Sequence, residues 1–544
     1  MHKLIECVPN FSEGNDLNII KQITDEIEKV EGVKLLNVDS GKATNRTVVT
    51  LVGTPDACVE ACFHAIKKAG ELIDMSNHKG AHPRMGATDV CPFIPISGIT
   101  MAETAKYAHQ LAERVGKELK IPVYLYEYAQ KNPTRKNLSI IREGEYEGFF
   151  KKIKLAEWKP DFGSAEYDAK RGATVIGARD FLVAYNVNLN TTSVRRANSV
   201  AFDVREAGRK TNDVVHPGAC KSVKGIGWFI KEYGIAQVSM NLTNINITPV
   251  HVAFEECVKS ANNRGMRVTG SELVGLIPLE SLLDAGKYFL KKQNRSAGVS
   301  EKELIKIAVK SLGLDELTPF KPEERIIEYQ LKDKNKMNLT GMSLSDFADE
   351  TASESPAPGG GSISAYIGAL GISLGTMVAN LSSHKKGWDE HWEEFSKWAE
   401  KGQKIKEDLL KLVDEDTNAF NKIMSAFGLS KASAEEKTER EKAIQSATKY
   451  ATEIPFRVMQ LSYESMEVIK AMVEKGNPNS VSDAGVGALC ARSAVMGSYL
   501  NVKINAKGLT DKKFARSIVQ KGKRIEEKAK KSEAKILGIV RRKI

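Results

Sequence analysis

The hydrophobic positions change their spacing once along the chain. Up to about residue 330 short apolar runs (LIECVPNF, VKLLNVD, RTVVTLVG, PVYLYEYA) read as strands, while 16–31, 54–75 and 100–119 carry apolar residues three and four apart. In the first helical pattern Leu17, Ile20, Ile23, Ile27 and Val30 mark one face. A smaller round of alternation starts near Phe181 with FLVAYNVNLN and AQVSMNLTNINIT. The pattern predicts an α+β half built from two βαβ-type, ferredoxin-like subdomains, 1–180 and 181–329. The apolar-poor stretch QLKDKNKMNLTG, 330–341, reads as a linker. From 342 to 544 no alternating strand stands out, and long helical patterns at 388–424 and 436–474 predict an all-α helical bundle.

Length and composition agree with this division. A chain of 544 residues exceeds what one core supports, and 42% hydrophobic with 27% charged residues is ordinary globular composition. The charge-free stretch 355–383 is long enough to cross a bilayer, but its glycines and serines dilute it. Ile363, Ile367, Leu370, Leu374, Met377 and Leu381 repeat at four and three, so a core helix with a small-residue face is expected, not a membrane span. Seven scattered cysteines without a C-x-x-C pair fit a reducing cytoplasm, and the N-terminal residues read as a first strand, not a secretory signal. The net charge of +11 points to an anionic partner, either nucleic acid or a polycarboxylate small molecule. The basic residues near the end of the chain interleave with Glu526, Glu527 and Glu533, as on a solvated helix face, and no nucleic-acid motif accompanies them.

Candidate chemistry in the first half concentrates in SNHKGAHPRMGATDVCPFIP, read as one loop. His78 and His82 have metal-ligand spacing only on a helix, which Gly80, Pro83 and Gly86 disfavour, so no metal is expected. From the residues alone His82 is equally a general acid/base or an ordinary loop histidine. In the second half Leu409, Val413, Phe420 and Ile423 form a stripe that includes Asp416, whereas Asp414 and Glu415 point elsewhere. A carboxylate facing the bundle interior is either structural or a site with a shifted pKa. PAPGGGS, at a helix entry, is a packing turn or an anion cradle, and it lacks the ending of a nucleotide-binding P-loop.

The motifs CVPNFSEG, VDSGKATNRTVVTLVG, AHPRMGATDVCPFIP, PVYLYEYA and WKPDFG followed by GATVIGARDFLVAYNVNLN resemble the glutamate formimidoyltransferase family over about 1–330. SLSDFADETASESPAPGGGSISAYIGALGISLGTMVANLS and LVDEDTNAF resemble the formimidoyltetrahydrofolate cyclodeaminase family, and NPNSVSDAGVGALCARSA does so too. The resemblance implies a bifunctional enzyme: transfer of a formimidoyl group from N-formimidoyl-L-glutamate to tetrahydrofolate, then cyclisation to 5,10-methenyl-tetrahydrofolate with release of ammonia. It implies His82 and Asp416 as catalytic residues, and a folate segment at Gly163, Ser164, Ala165, Glu166, Tyr167, Asp168, Ala169, Lys170, Arg171 and Gly172. Residue chemistry adds Asp39, either to orient the imidazole or hold the amine or as a turn residue after its strand, and Arg46 or Arg84 to pair with glutamate carboxylates. Tetrahydrofolate is then the co-substrate, with no metal, nucleotide or redox cofactor, and the basic balance suits polyglutamylated folate. A ring-shaped octamer, with the bundle half forming dimers, is implied as the assembly. The alternatives are a chain with one active half and a folate-binding protein without catalysis.

Overall fold

A computed structural model describes residues 3–212, 214–331 and 338–544. The chain divides into two compact units, Met1–Ala285 with Ala308–Lys332, and Gly286–Ile307 with Asp333–Ile544. Residues 332–337 of the expected linker lie outside the described residues.

The first unit opens with β1 (Leu4–Cys7), β2 (Asn10–Phe11), α1 (Leu17–Glu28), β3 (Val33–Gly41), β4 (Arg46–Gly53), α2 (Pro55–Leu72) and β5 (Thr88–Ser97). Then come α3 (Met101–Arg114), β6 (Val123–Glu127), α4 (Leu138–Ile141), α5 (Glu145–Lys152) and β7 (Thr174–Ala178). Asp16 caps α1, its carboxylate accepting from the Asn18 and Ile19 amides, and Thr100 with Glu103 forms a capping box on α3. The seven strands form one sheet in the order β1-β4-β2-β5-β7-β6, with β3 on β4. Strands β5, β7 and β6 run parallel, and the other pairings are antiparallel. The residues read as one loop up to Pro95 are strand from Thr88 onwards. The physical reason is burial: Thr88–Ile94 lies inside the sheet and is buried throughout, so it shows an apolar run, broken by prolines, instead of alternation.

The second subdomain comprises β8 (Val183–Leu189), α6 (Val194–Val204), β9 (Arg209–Thr211), β10 (Val214–His216), β11 (Val223–Ile230), β12 (Ile235–Leu242), α7 (Val250–Asn262) and β13 (Val268–Val274). Its antiparallel sheet has the order β11-β12-β8-β13, and strands β9 and β10 pair as a separate ribbon. Leaving that ribbon aside, strand and helix follow as βαββαβ, the ferredoxin-like order expected, and β1-α1-β3-β4-α2-β5 repeats it in the larger sheet. After α8 (Leu279–Lys292) and α9 (Glu301–Leu312) the half ends in α10 (Pro322–Arg325) and α11 (Ile327–Leu331).

The second unit is helical: α12 (Leu344–Ala352), α13 (Gly360–Ser383), α14 (Trp392–Phe427), α15 (Ala434–Lys475), α16 (Val481–Lys507) and α17 (Lys512–Lys543). Helix α13 is the one helix among the described residues long and apolar enough to span a bilayer. Its buried face is the small-residue one: Gly361, Ala365, Gly368, Ala369 and Gly375 lie inward, and a Cβ on Gly368 would come within 2.6 Å of Ser462 Oγ. The larger residues Leu370, Met377 and Leu381 of the same helix are exposed, against the expectation that the apolar stripe forms core. Close backbone approach excludes long side chains from the contact and leaves them on the outside. The segment Gly286–Ile307 belongs here as well: Ser396 Oγ accepts from the Ala297 amide at 3.0 Å, and Asn380 Nδ2 donates to Gly298 O at 2.8 Å.

Candidate active sites

In the first unit the loop before β5 carries His78, His82 and Arg84. His82 is half-buried, and its Nδ1 lies 2.7 Å from Pro83 O. A carbonyl only accepts, so Nδ1 carries the proton and Nε2 keeps its lone pair. Burial first, then the Arg46 and Arg142 guanidinium groups, push the imidazole pKa down from 6.5 to about 3, with Asp89 opposing. His82 is therefore neutral at physiological pH.

Asp89, fully buried on β5, organises those cations. Its Oδ2 meets Arg46 Nη1 at 2.5 Å and also pairs with Arg142 Nη2, while Oδ1 accepts from the Met85 amide at 2.9 Å. Burial alone would raise this carboxyl, but Arg142 and Arg46 hold it well below the usual carboxylate range. Two guanidinium groups on one carboxylate leave a positive surplus beside His82. Arg46 also donates from Nε to Asn10 Oδ1 at 3.1 Å.

The other residues singled out from the sequence are engaged differently. Arg84 is buried and spans to α5, at 3.0 Å from Glu145 and 2.5 Å from Glu147, and its Nε donates to His78 Nδ1 at 3.3 Å. Asp39 Oδ2 accepts from the Gly275 amide at 2.8 Å and from Arg325 Nη1 at 3.2 Å, tying the first sheet to the second subdomain. Its partners are thus a backbone amide and an arginine, whereas the imidazole binds Pro83 O.

The segment 163–172 is strapped to the His82 loop. Ala87 N donates to Arg171 O at 2.9 Å and Ala173 N to Met85 O at 3.0 Å. A Cβ on Gly86 would stand 2.4 Å from both Ala173 O and Arg171 O, so only glycine allows this approach. Asp168 binds the Lys170 and Arg171 amides and the Arg171 side chain, and Lys170 Nζ donates to Glu71 O. Those two cations are consequently tied to the protein itself. Tyr167 sits among Tyr146, Phe149 and Phe150 at centroid distances of 6.0 to 6.2 Å.

In the second unit Asp416 lies half-buried on α14 against the first turn of α13. A Cβ on Gly361 would be 2.2 Å from Asp416 Oδ1, so the triple-glycine entry lets the carboxylate touch the helix start. Ser362 Oγ donates to Val413 O at 2.9 Å and lies 3.3 Å from Asp416 Oδ2. Burial raises the Asp416 pKa, opposed by the Ser362 hydroxyl and backbone N–H. Asp414 and Glu415 do point elsewhere: Asp414 accepts from Leu339 N and Thr340 Oγ1, and Glu415 binds Tyr450 OH. A groove of about 490 Å³ along the outer side of α14 is lined by Glu415, Asn418, Asn421, Lys422 and Ser425, next to Asp416 in sequence but not including it. Gly487, in the glycine-rich start of α16, packs against α13 beside Gly371 O.

Sequence reasoning missed Asp89 and Arg142. Asp89 had a signal, a lone charge inside an apolar run, while Arg142, in a short turn-rich stretch, had none.

Comparison with known proteins covers the same two halves. Residues 4–179 match a family described as formiminotransferase domain, N-terminal subdomain, 184–332 match formiminotransferase domain, and 343–524 match formiminotransferase-cyclodeaminase. A formimidoyltransferase-cyclodeaminase of Gallus gallus is 42% identical over 544 residues, covering 100% of both chains. A glutamate formimidoyltransferase of Streptococcus pyogenes is 41% identical over 294 residues, 54% of this chain and 95% of its own. A methenyltetrahydrofolate cyclohydrolase of Methylorubrum extorquens is 39% identical over 173 residues, 32% of this chain and 83% of its own. With alignment running end to end through both units, the chain belongs to the formimidoyltransferase-cyclodeaminase family.

Proposed function

We propose that this chain transfers the formimidoyl group of N-formimidoyl-L-glutamate to N5 of tetrahydrofolate and then closes the product to 5,10-methenyl-tetrahydrofolate. The observation that carries the reading is one proton-handling group in each unit: a neutral His82 beside surplus guanidinium charge, and an Asp416 of raised pKa at a helix start. In the first reaction N5 attacks the amidine carbon, and its proton passes to His82 Nε2. The C–N bond to glutamate then breaks, and the same proton leaves with the amine, so histidine is regenerated. Substrate carboxylates entering beside Arg46 and Arg142 offset the field that depresses the imidazole, which makes it a stronger base when substrate is bound. Arg46 is the carboxylate-facing cation of this reading, while Asp39 and Arg84 act by positioning the second subdomain and α5. The segment 163–172 takes folate, with Tyr167 as an aromatic surface.

In the second reaction N10 attacks the formimidoyl carbon, and ammonia departs after receiving the N10 proton and one further proton. A carboxyl of raised pKa can relay the first and supply the second, and as carboxylate it stabilises the cationic product. Both steps occur in the cytoplasm, a setting supported by seven free cysteines. A ring-shaped octamer using the helical unit for dimer contacts is supported by the exposed Leu370, Met377 and Leu381 of α13 and Val486, Leu489 and Leu500 of α16.

The test is a coupled assay of methenyl-tetrahydrofolate absorbance and ammonia for the wild type, His82→Ala and Asp416→Ala. Wild type should form both products, His82→Ala neither from formimidoylglutamate, and Asp416→Ala should stop at 5-formimidoyl-tetrahydrofolate. A wild type forming neither product while binding folate would leave a non-catalytic folate-binding protein.

A further inference from the structure

The larger sheet buries a second carboxylate that its neighbours do not satisfy. Glu6 lies opposite Val52 on β4 and Ile94 on β5, so it emerges on the face away from Ile5 and Cys7, which enter the helix-covered core. The register puts Asn37 opposite Thr50 and Asp39 opposite Val48, on the same face as Glu6. Val52 packs there with Leu276, Ile327 and Phe181, so the second subdomain covers the face at this point.

Glu6 is 2% exposed and makes no hydrogen bond or ion pair with any described residue; Arg179 is its charged neighbour. Asp89 on the same sheet shows the contrast, since two arginines and a backbone amide serve it. Asn37 Nδ2, on the Glu6 face, is likewise buried without a partner. A buried carboxyl and a buried amide N–H left unsatisfied on one face are costly, and such groups are retained where a ligand completes them.

We propose that Glu6 is a substrate-contacting residue of the transferase, accepting two N–H bonds from a planar N–C–N edge. The proposal rests on the transferase reading above, and both substrates of that reading carry such an edge: the amidine of formimidoylglutamate, and the 2-amino and N3–H positions of the pterin ring. A carboxylate presents two oxygens at the spacing such an edge requires. Burial pushes Glu6 up to about 7, with Arg179 opposing, so the group is poised to lose its proton to solvent when a donor-rich edge arrives. Asn37 adds a donor on the same face for a ligand oxygen.

The experiment compares the full-length wild type with Glu6→Gln, measuring KM for each transferase substrate with the other saturating. Cyclodeaminase turnover of 5-formimidoyl-tetrahydrofolate by the same preparations controls for protein quality. Transferase kcat/KM should fall by about 10- to 100-fold, the worth of a charge-assisted pair, with the rise in KM confined to one substrate. A rise for formimidoylglutamate identifies the amidine as the edge, and a rise for tetrahydrofolate identifies the pterin. Parameters within about twofold of wild type for both substrates overturn the proposal, as does an equal loss on both accompanied by a lowered Tm. Should Glu6→Gln fail to fold, Glu6→Asp, which keeps the charge on a shorter arm, must show the same one-substrate loss or the proposal falls. A wild type with no transferase activity at all would overturn the transferase reading itself, a different result from an active wild type matched by its variant.

Discussion

At the scale of single residues, the first unit keeps its chemistry ready by placing charges where they oppose one another. His82 has a folded pKa of about 3 against an ordinary 6.5, because burial and two arginines disfavour the imidazolium. Between those values the unfolded chain binds a proton that the folded chain refuses, so stability falls as pH falls from about 6.5 towards 3. Asp89, depressed by Arg142 and Arg46 despite its burial, acts in the same direction, its contribution being lost only as the medium becomes more acidic than the ordinary carboxylate range. In urea unfolding at pH 7.5 and 5.5, His82→Gln should narrow the difference that wild type shows between the two; an unchanged difference would mean that His82 titrates near its ordinary value. Asp416 was legible in the sequence because Leu409 and Val413, at helical spacing, aim it inward, and both are buried. The tie of Asp39 was not: its partner Arg325 lies 286 residues away, and no local pattern reports a contact that depends on how two subdomains meet.

At the scale of elements, both candidate sites depend on glycines that admit a close neighbour. The first turn of α13 touches Asp416 because Gly361 has no Cβ, and Gly86 lets the His82 loop bridge to Gly172. Gly361→Ala would drive a methyl carbon into Asp416 and shift its carboxylate by an ångström or so, a displacement that costs about 100-fold in rate. Ammonia release from 5-formimidoyl-tetrahydrofolate should fall by that order while formimidoyl transfer stays at the wild-type rate; loss of both would point to general misfolding. Such helix entries are readable in a sequence as PAPGGGS, yet the neighbour that makes each glycine necessary is visible only in three dimensions. The same limit applied to β5, whose burial on both sides removed the alternation that marks a strand at the edge of a core.

At the scale of the whole molecule, the helical unit presents large apolar side chains to solvent where its own packing has used the small ones. Leu370 and Met377 on α13 and Leu489 and Leu500 on α16 are all more than a third exposed. Leu489→Glu combined with Leu370→Glu should reduce the mass seen by sedimentation or light scattering, as charge at an apolar interface opposes association. An unchanged mass would remove this face from the proposed dimer contact. Apolar spacing reveals the helices of this unit but not which face they keep for one another, because small and large residues alternate on α13 at nearly the same spacing.

The helical unit also includes Gly286–Ile307, a stretch numbered inside the first half, with Gly298 seated so closely on Ala399 that a Cβ there would stand 2.3 Å from it. Position along the chain therefore does not by itself say which unit a residue packs in. Gly286–Ile307 precedes α13 and α14 in the chain, so its contacts with Asn380, Ser396 and Ala399 form only once those helices have been made. Cutting this chain at 332–337 would part Gly286–Ile307 from the Asn380 and Ser396 side chains that bind it. The two enzymes are in that sense a single heritable object, because the first half of the sequence supplies residues that the helical unit packs around.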